Sequence, residues 1–219
     1  MLKLHGFAVS NYFNMVHLAL LEKGLEFEIV TEYPSNTPEF LAHSPRGKVP
    51  FLETEHGYIN ETSAILDYLE ESQGGRPLLP AAPFARAQVR TLIKEIELYI
   101  ELPARLCFAE AFFGGVVPEA IKDKAKIELR AGFATLKRHA KFAPYVAGDS
   151  FTLADIYFFY SVGIAAKVVM KLFQFDPLED LPEARALLKQ LSENPHAQKI
   201  AAESEAAMPA FIAYVQAKK

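Results

Sequence analysis

The chain has 219 residues, about half of them hydrophobic, and a formal net charge of −4. Its length gives room for two ordinary domains with buried cores; no uninterrupted apolar run approaches the roughly 18 residues of a membrane span, and no Lys/Arg run supports nucleic-acid binding. The single cysteine, Cys107, excludes an internal disulfide, and Met1-Leu2-Lys3-Leu4 leads into a strand pattern rather than a secretory signal, so a cytoplasmic protein is expected.

Leu2, Leu4 and Phe7 begin a strand that Gly6 loosens. Val16, Ala19, Leu20 and Leu21 give a helix face that ends at Gly24. Leu25 to Val30 alternates apolar and acidic residues, the pattern of a strand exposed on one side. Thr31 to Pro45 is a polar connection with a short helix expected around Glu39–Ala42. Lys48-Val49-Pro50-Phe51-Leu52 reads as a short strand carrying a proline, which lacks an N–H and so implies an edge, a bulge or a cis bond. Such a proline turns the backbone groups of Val49 away from a ladder. After a turn at His56-Gly57 comes a strand over Tyr58–Asn60. Ala64, Ile65, Leu66, Tyr68 and Leu69 then recur at helical spacing, predicting a helix over Thr62–Glu71. Glu61-Thr62-Ser63 therefore sits at a helix start, whose free N–H groups and dipole suit a carboxylate or phosphate. Residues 1–75 carry Lys3, Lys23, Arg46 and Lys48 against eleven acids, a net of −7, which leaves +3 for the remainder. An anionic ligand must therefore be held by local donors, here Lys48 and the start of the helix.

The motif Gly47-Lys48-Val49-Pro50-x-Leu52, followed by Glu61-Thr62-Ser63-Ala64-Ile65-x-x-Tyr68-Leu69, resembles the glutathione-binding half of the cytosolic glutathione transferases. The resemblance implies a thioredoxin-like α/β domain with a mixed four-stranded sheet, followed by an all-α domain. It also implies that Lys48, Val49, Pro50, Glu61 and Thr62 bind glutathione. Val49 would pair through its backbone with the cysteinyl part, and Glu61 and Thr62 would hold the γ-glutamyl part. The alternative reading of the same stretch is a turn and a capped helix with no ligand.

The loop Ala8-Val9-Ser10-Asn11-Tyr12-Phe13-Asn14 precedes a helix N-terminus, where a thiolate is stabilised by the dipole and by hydroxyl donors. No cysteine lies in the first half, which excludes a thioredoxin or glutaredoxin reaction. The serine-type members of the family resemble this loop, with the serine six residues before a helix valine; Val16 then selects Ser10. Ser10 would donate a hydrogen bond to the glutathione sulfur and favour the thiolate. Asn11 and Tyr12 compete for that role, and Ser10 is equally a good N-cap. Met15 stands where the family often has a basic residue.

From Gln73 to Pro83 the chain is rich in Gly and Pro and lacks periodicity, the mark of a boundary. The expected division is a glutathione-binding domain over 1–75, a linker over 76–84 and a helical domain over 85–219. Helices are predicted from Phe84 to about Phe113 with a kink at Pro103, from Glu119 to about Phe142, from Thr152 to about Leu172, from Glu183 to Glu193, and from His196 to Gln216. Thr152 followed by Asp155 is a capping box in acidic form, with Phe151 and Ile156 as an apolar staple. It resembles a structural motif of the family. The first of these helices faces the electrophile pocket in the family, so Tyr99, Arg105, Phe108 and Phe112 are candidate substrate contacts; core or subunit packing is the alternative. The six histidines are scattered without ligand spacing, so no metal site is expected.

The resemblance implies a homodimeric transferase that needs glutathione as co-substrate, a small hydrophobic electrophile, and no other cofactor. If binding lowers the thiol pKa from about 9 to 6–7, most of the ligand is ionised at neutral pH, each unit representing roughly 1.4 kcal/mol of preferential thiolate binding. Two alternatives stand beside conjugation. One is a glutathione-dependent isomerase, dehalogenase or disulfide reductase on the same scaffold. The other is a non-catalytic interaction protein of the same fold.

Overall fold

The apolar first strand, the helical spacing after it and the alternation over Leu25–Val30 produce a β-α-β unit, seen in a computed structural model that describes residues 1–72 and 74–217. Gln73, at the head of the Gly/Pro-rich boundary, and Lys218 and Lys219, at the end of the expected helical domain, lie outside the described residues. The chain divides into two compact units, Met1–Leu78 with Ser192–Lys219, and Leu79–Leu191.

In the first unit, β1 (Leu2–Gly6), α1 (Asn11–Lys23), β2 (Phe27–Thr31), α2 (Pro38–His43), β3 (Phe51–Thr54), β4 (Gly57–Asn60) and α3 (Thr62–Ser72) follow one another. The mixed sheet has the order β2-β1-β3-β4, with β1 parallel to β2 and antiparallel to β3, and β3 antiparallel to β4. The predicted strand over Lys48–Leu52 is corrected: β3 begins only at Phe51, and Lys48, Val49 and Pro50 precede it. The Ser44 hydroxyl donates to the Lys48 carbonyl at 2.8 Å and accepts from the Lys48 N–H at 3.2 Å, so this segment is held by Ser44 and not by a neighbouring strand.

Helix α1 is buried almost all round. Phe13, Met15, Val16, Leu18 and Leu20 are each 2% exposed or less, so Met15 is a core residue, where an unpaired basic side chain would be costly. At its end Gly24 adopts φ 67°, while the Gly24 and Leu25 N–H groups close back on Leu21 and Leu20. Beside it, Lys23 and Glu70 form a buried ion pair at 2.7 Å. Lys23 also donates to the Arg76 carbonyl at 3.2 Å, and Glu70 accepts from the Leu78 N–H at 3.1 Å. Each member of the pair thereby has a further hydrogen-bond partner, which helps a buried pair to be tolerated.

The last helix, here α11 (Pro195–Ala217), clusters with this unit although the sequence division groups it with the other helices. Glu22 on α1 accepts from Asn194 Nδ2 at 2.8 Å and faces His196 Nδ1 at 3.0 Å, which fixes where the helix starts. His17, 1% exposed on α1, lies 3.7 Å from Glu203 of α11.

In the second unit, α4 (Pro83–Ile96) runs into a π-helical turn at Glu97–Glu101, then α5 (Leu102–Arg105) and α6 (Phe108–Phe113). The single kinked helix predicted over Phe84–Phe113 is thus broken. The Leu102 N–H reaches back five residues to the Glu97 carbonyl, and Pro103, which lacks an N–H, falls in the first turn of α5. Gly132 of α7 (Glu119–His139) sits so close to the Tyr99 carbonyl that a methyl group there would collide with it.

Next come α8 (Leu153–Tyr157), a second π-helical turn (Phe158–Val162) and α9 (Gly163–Phe173), followed by α10 (Pro182–Ser192). The predicted capping box is present: Asp155 accepts from the Thr152 N–H at 2.8 Å, and Thr152 Oγ1 accepts from the Ala154 N–H at 3.3 Å. Asp155 also accepts from the Val146 N–H at 2.8 Å. The run Leu153–Phe173 is by length and composition apolar enough to cross a membrane, and half of its apolar stretch is buried inside the protein.

Candidate functional site

The strand register decides which segments meet. His5 pairs with Phe51, and Phe51 with Asn60, so the next residues along the three adjacent strands are Gly6, Pro50 and Glu61. The Phe7–Ser10 turn leaving β1, the Lys48–Pro50 segment entering β3 and the Glu61-Thr62 step into α3 therefore gather at one end of the sheet. Helices α1 and α3 both begin there, and each turns its free N–H groups and the positive end of its dipole to that end.

Each segment offers unused groups. The Val49-Pro50 peptide is cis, and the backbone N–H and C=O of half-buried Val49 have no partner among the described residues. Lys48 is exposed and its ammonium has no acidic partner among the described residues. Glu61 is the N-cap position of α3, its carbonyl accepting from the Ile65 N–H at 3.0 Å, yet it adopts φ 66°. That left-handed conformation disfavours any side chain with a Cβ, and residues kept there cluster at ligand sites. Thr62, 6% exposed, stands at the first helical position.

Ser10 is the N-cap of α1. Its Oγ accepts from the Phe13 N–H at 3.4 Å, and its own N–H donates to the Phe7 carbonyl at 3.0 Å. A hydroxyl that accepts the capping bond still has its O–H to give, and that hydrogen has no acceptor among the described residues. Asn11 and Tyr12, half-buried in the first turn of α1, each take part in an interaction within the protein.

An aromatic group at the same end of the sheet escaped the sequence reading. Phe7 stacks on Phe211 at 5.2 Å between ring centres, Tyr33 stacks on Tyr214 at 4.2 Å, and Phe7 and Tyr33 lie 5.0 Å apart. The Tyr214 hydroxyl donates to the Pro34 carbonyl at 3.1 Å. The far end of α11 is thereby fixed over the turns that follow β1 and β2. The only signal for it in the sequence is the spacing of Phe211 and Tyr214 on one helix face.

The candidate substrate contacts of the second unit partly converge. The Arg105 guanidinium lies 5.0 Å over the Phe108 ring, and Phe108 meets Phe112 edge to face at 5.3 Å. Arg105 is tied to the fully buried Glu101 through its Nε at 2.8 Å and through a second nitrogen. Tyr99 is exposed on the π-helical turn, apart from that trio in sequence and packed through its backbone against Gly132. Burial pushes the Cys107 thiol up, so it is a poor nucleophile. Among the described residues no cluster of three His, Cys, Asp or Glu is placed to hold a metal ion.

Residues 4–77 match the family model of the glutathione S-transferase N-terminal domain, and residues 119–190 that of the C-terminal domain. Over all 219 residues the chain is 60% identical to a glutathione S-transferase of Pseudomonas putida, covering 100% of both chains. The chain belongs to the glutathione S-transferase family. It is also 32% identical to glutathione S-transferase 3 of Zea mays, over 70% of this chain and 73% of that one. Among solved structures it resembles Gtt2 of Saccharomyces cerevisiae, with a TM-score of 0.74 at 27% identity, over 90% of this chain and 99% of that one. The thioredoxin-like first half and the helical second unit are thus those of a glutathione transferase.

Proposed function

We propose that this protein is a glutathione transferase that binds glutathione at the end of the sheet where Val49, Glu61 and Ser10 gather, and holds its thiol as thiolate. The observation that carries the reading is the register that puts Gly6, Pro50 and Glu61 side by side, with two helix N-termini and the idle Val49 backbone at that end. In the proposed complex Val49 pairs with the cysteinyl backbone of glutathione. The carboxylate and hydroxyl of Glu61 and Thr62 take the γ-glutamyl part, and Lys48 neutralises a ligand carboxylate. The thiol gives its proton to solvent, and the Ser10 O–H donates to the sulfur that remains. The thiolate then attacks an apolar electrophile: a carbon–sulfur bond forms, and the leaving group departs with its electron pair.

The full-length relative at 60% identity carries the transferase name, which favours conjugation over the isomerase, dehalogenase and reductase alternatives and over a non-catalytic interaction protein. The apolar electrophile, with Tyr99, Arg105, Phe108 and Phe112 as its contacts, and the homodimeric assembly belong to the proposal on the strength of the family resemblance. A cytoplasmic place is supported by the single, buried cysteine. Calorimetry with glutathione, alongside a conjugation assay with a chromogenic aryl halide, tests the reading. Saturable binding below millimolar glutathione and glutathione-dependent product are expected; no binding at millimolar glutathione refutes it.

A further inference from the structure

The Phe7–Ser10 segment is a β-turn closed by the Ser10 N–H on the Phe7 carbonyl, with Ala8 and Val9 at its centre. A turn of this kind uses its outer carbonyl and outer N–H, and leaves the carbonyl between the two central residues to find a partner elsewhere. Here the partner is Asn14, whose Nδ2 donates to the Ala8 carbonyl at 2.9 Å. The backbone N–H of the same residue donates to the Ser10 carbonyl at 3.0 Å. That second bond is the first intrahelical bond, which any residue with a backbone N–H would make, so what is particular to Asn14 is the side-chain grip on the middle of the turn that leads into Ser10.

Packing alone does not explain the residue. Asn14 is 6% exposed, and its Oδ1 is buried with no hydrogen-bond partner. Leucine has nearly the same shape and would fill that space with no orphaned acceptor, so a purely space-filling position favours the apolar side chain. What leucine cannot supply is the bond to Ala8. We propose that Asn14 is a positioning residue for Ser10: by holding the central carbonyl of the turn, it sets the direction from which the Ser10 hydroxyl reaches the glutathione sulfur. The inference rests on the glutathione-transferase reading above.

The test is the pH profile of kcat/KM for Asn14→Leu and for Asn14→Ser, whose hydroxyl is one atom too short to span to Ala8. The profile is read with the wild type and in a Ser10→Ala background. In both Asn14 variants the limb that reports thiol ionisation should move up by about half a unit to one unit, the worth of one misaligned hydrogen bond, while KM for glutathione changes less than about twofold. In the Ser10→Ala background the same replacements should move the limb no further, because nothing is left to position. A limb that stays in place in a folded variant, or one that moves as far without the Ser10 hydroxyl, overturns the Asn14 assignment and leaves the transferase reading intact. A wild type that neither binds glutathione nor shows the ionisation limb overturns both. The serine variant keeps the comparison available should the leucine variant fail to fold.

Discussion

Replacing Ser10 by alanine removes two interactions at once, and the structure says how to separate them. Ser10 Oγ accepts the Phe13 N–H at 3.4 Å as an N-cap, and in the proposed complex its O–H donates to the thiolate. A hydrogen bond to a charged group is worth about 1.5–3 kcal/mol, so its loss should raise the pKa of bound glutathione by about 1–2 units. Loss of the cap should cost about 0.5–2 kcal/mol of stability, with the long 3.4 Å bond favouring the lower half of that range. Glycine is a tolerable N-cap and alanine is not, so Ser10→Gly should raise the thiol pKa as much as Ser10→Ala does, with only a few tenths of a kcal/mol lost. The assay is ultraviolet titration of thiolate absorbance in the enzyme–glutathione complex, paired with chemical denaturation of each variant. If both variants keep the wild-type thiol pKa while only alanine loses stability, Ser10 is a cap and nothing more, and the assignment of the thiolate donor fails.

Three further outcomes follow from particular residues. Glu61→Gly should move stability and binding in opposite directions: relief of the left-handed φ 66° should stabilise the fold by about 1 kcal/mol, measured by denaturant midpoint, while calorimetry shows weaker glutathione binding. Burial pushes Asp155 up to about 6, against hydrogen bonds from the Val146 and Thr152 N–H groups, the Thr152 hydroxyl and its own backbone N–H that favour the ionised form. A raised carboxyl binds its proton more tightly in the folded state, so stability should fall as pH rises from about 4 to 6, by on the order of 3 kcal/mol, and Asp155→Asn should lose that slope in denaturation at pH 4.5 and 7. His17 gives the opposite sign. Burial holds it down at about 4, with Glu203 opposing, so its contribution is complete above pH 6.5 and is lost as pH falls towards 4, again by on the order of 3 kcal/mol. His17→Leu should flatten that part of the acid-denaturation profile, and a profile unchanged by the replacement would show that His17 is not held neutral.

Much of the first unit was legible because its signals are local. Alternation marks β2, helical spacing marks α3, and the Pro50 and Glu61-Thr62 motifs mark segments that gather at one end of the sheet. The Thr152–Asp155 capping box was legible for the same reason, as both partners lie within one turn. What escaped depends on contacts distant in sequence. Periodicity finds α11 but not its partner, which is settled by Glu22 meeting Asn194 and by Phe7 meeting Phe211. The π-helical turn at Glu97–Glu101 keeps a helical pattern and differs only in reaching five residues back, which no apolar spacing records. Met15 stands where a basic residue is frequent in the family, and its reason is burial, visible only once α1 is packed. Asn14 is ordinary in sequence and acquires a role only when its amide is seen on Ala8.

A crystal structure of the protein with glutathione bound tests the arrangement at the end of the sheet most directly. The sulfur should lie within hydrogen-bond reach of Ser10 Oγ, the cysteinyl backbone should pair with Val49, and the γ-glutamyl group should meet Glu61 and Thr62. Glutathione bound elsewhere, or bound there with its sulfur turned away from the first turn of α1, would contradict the account.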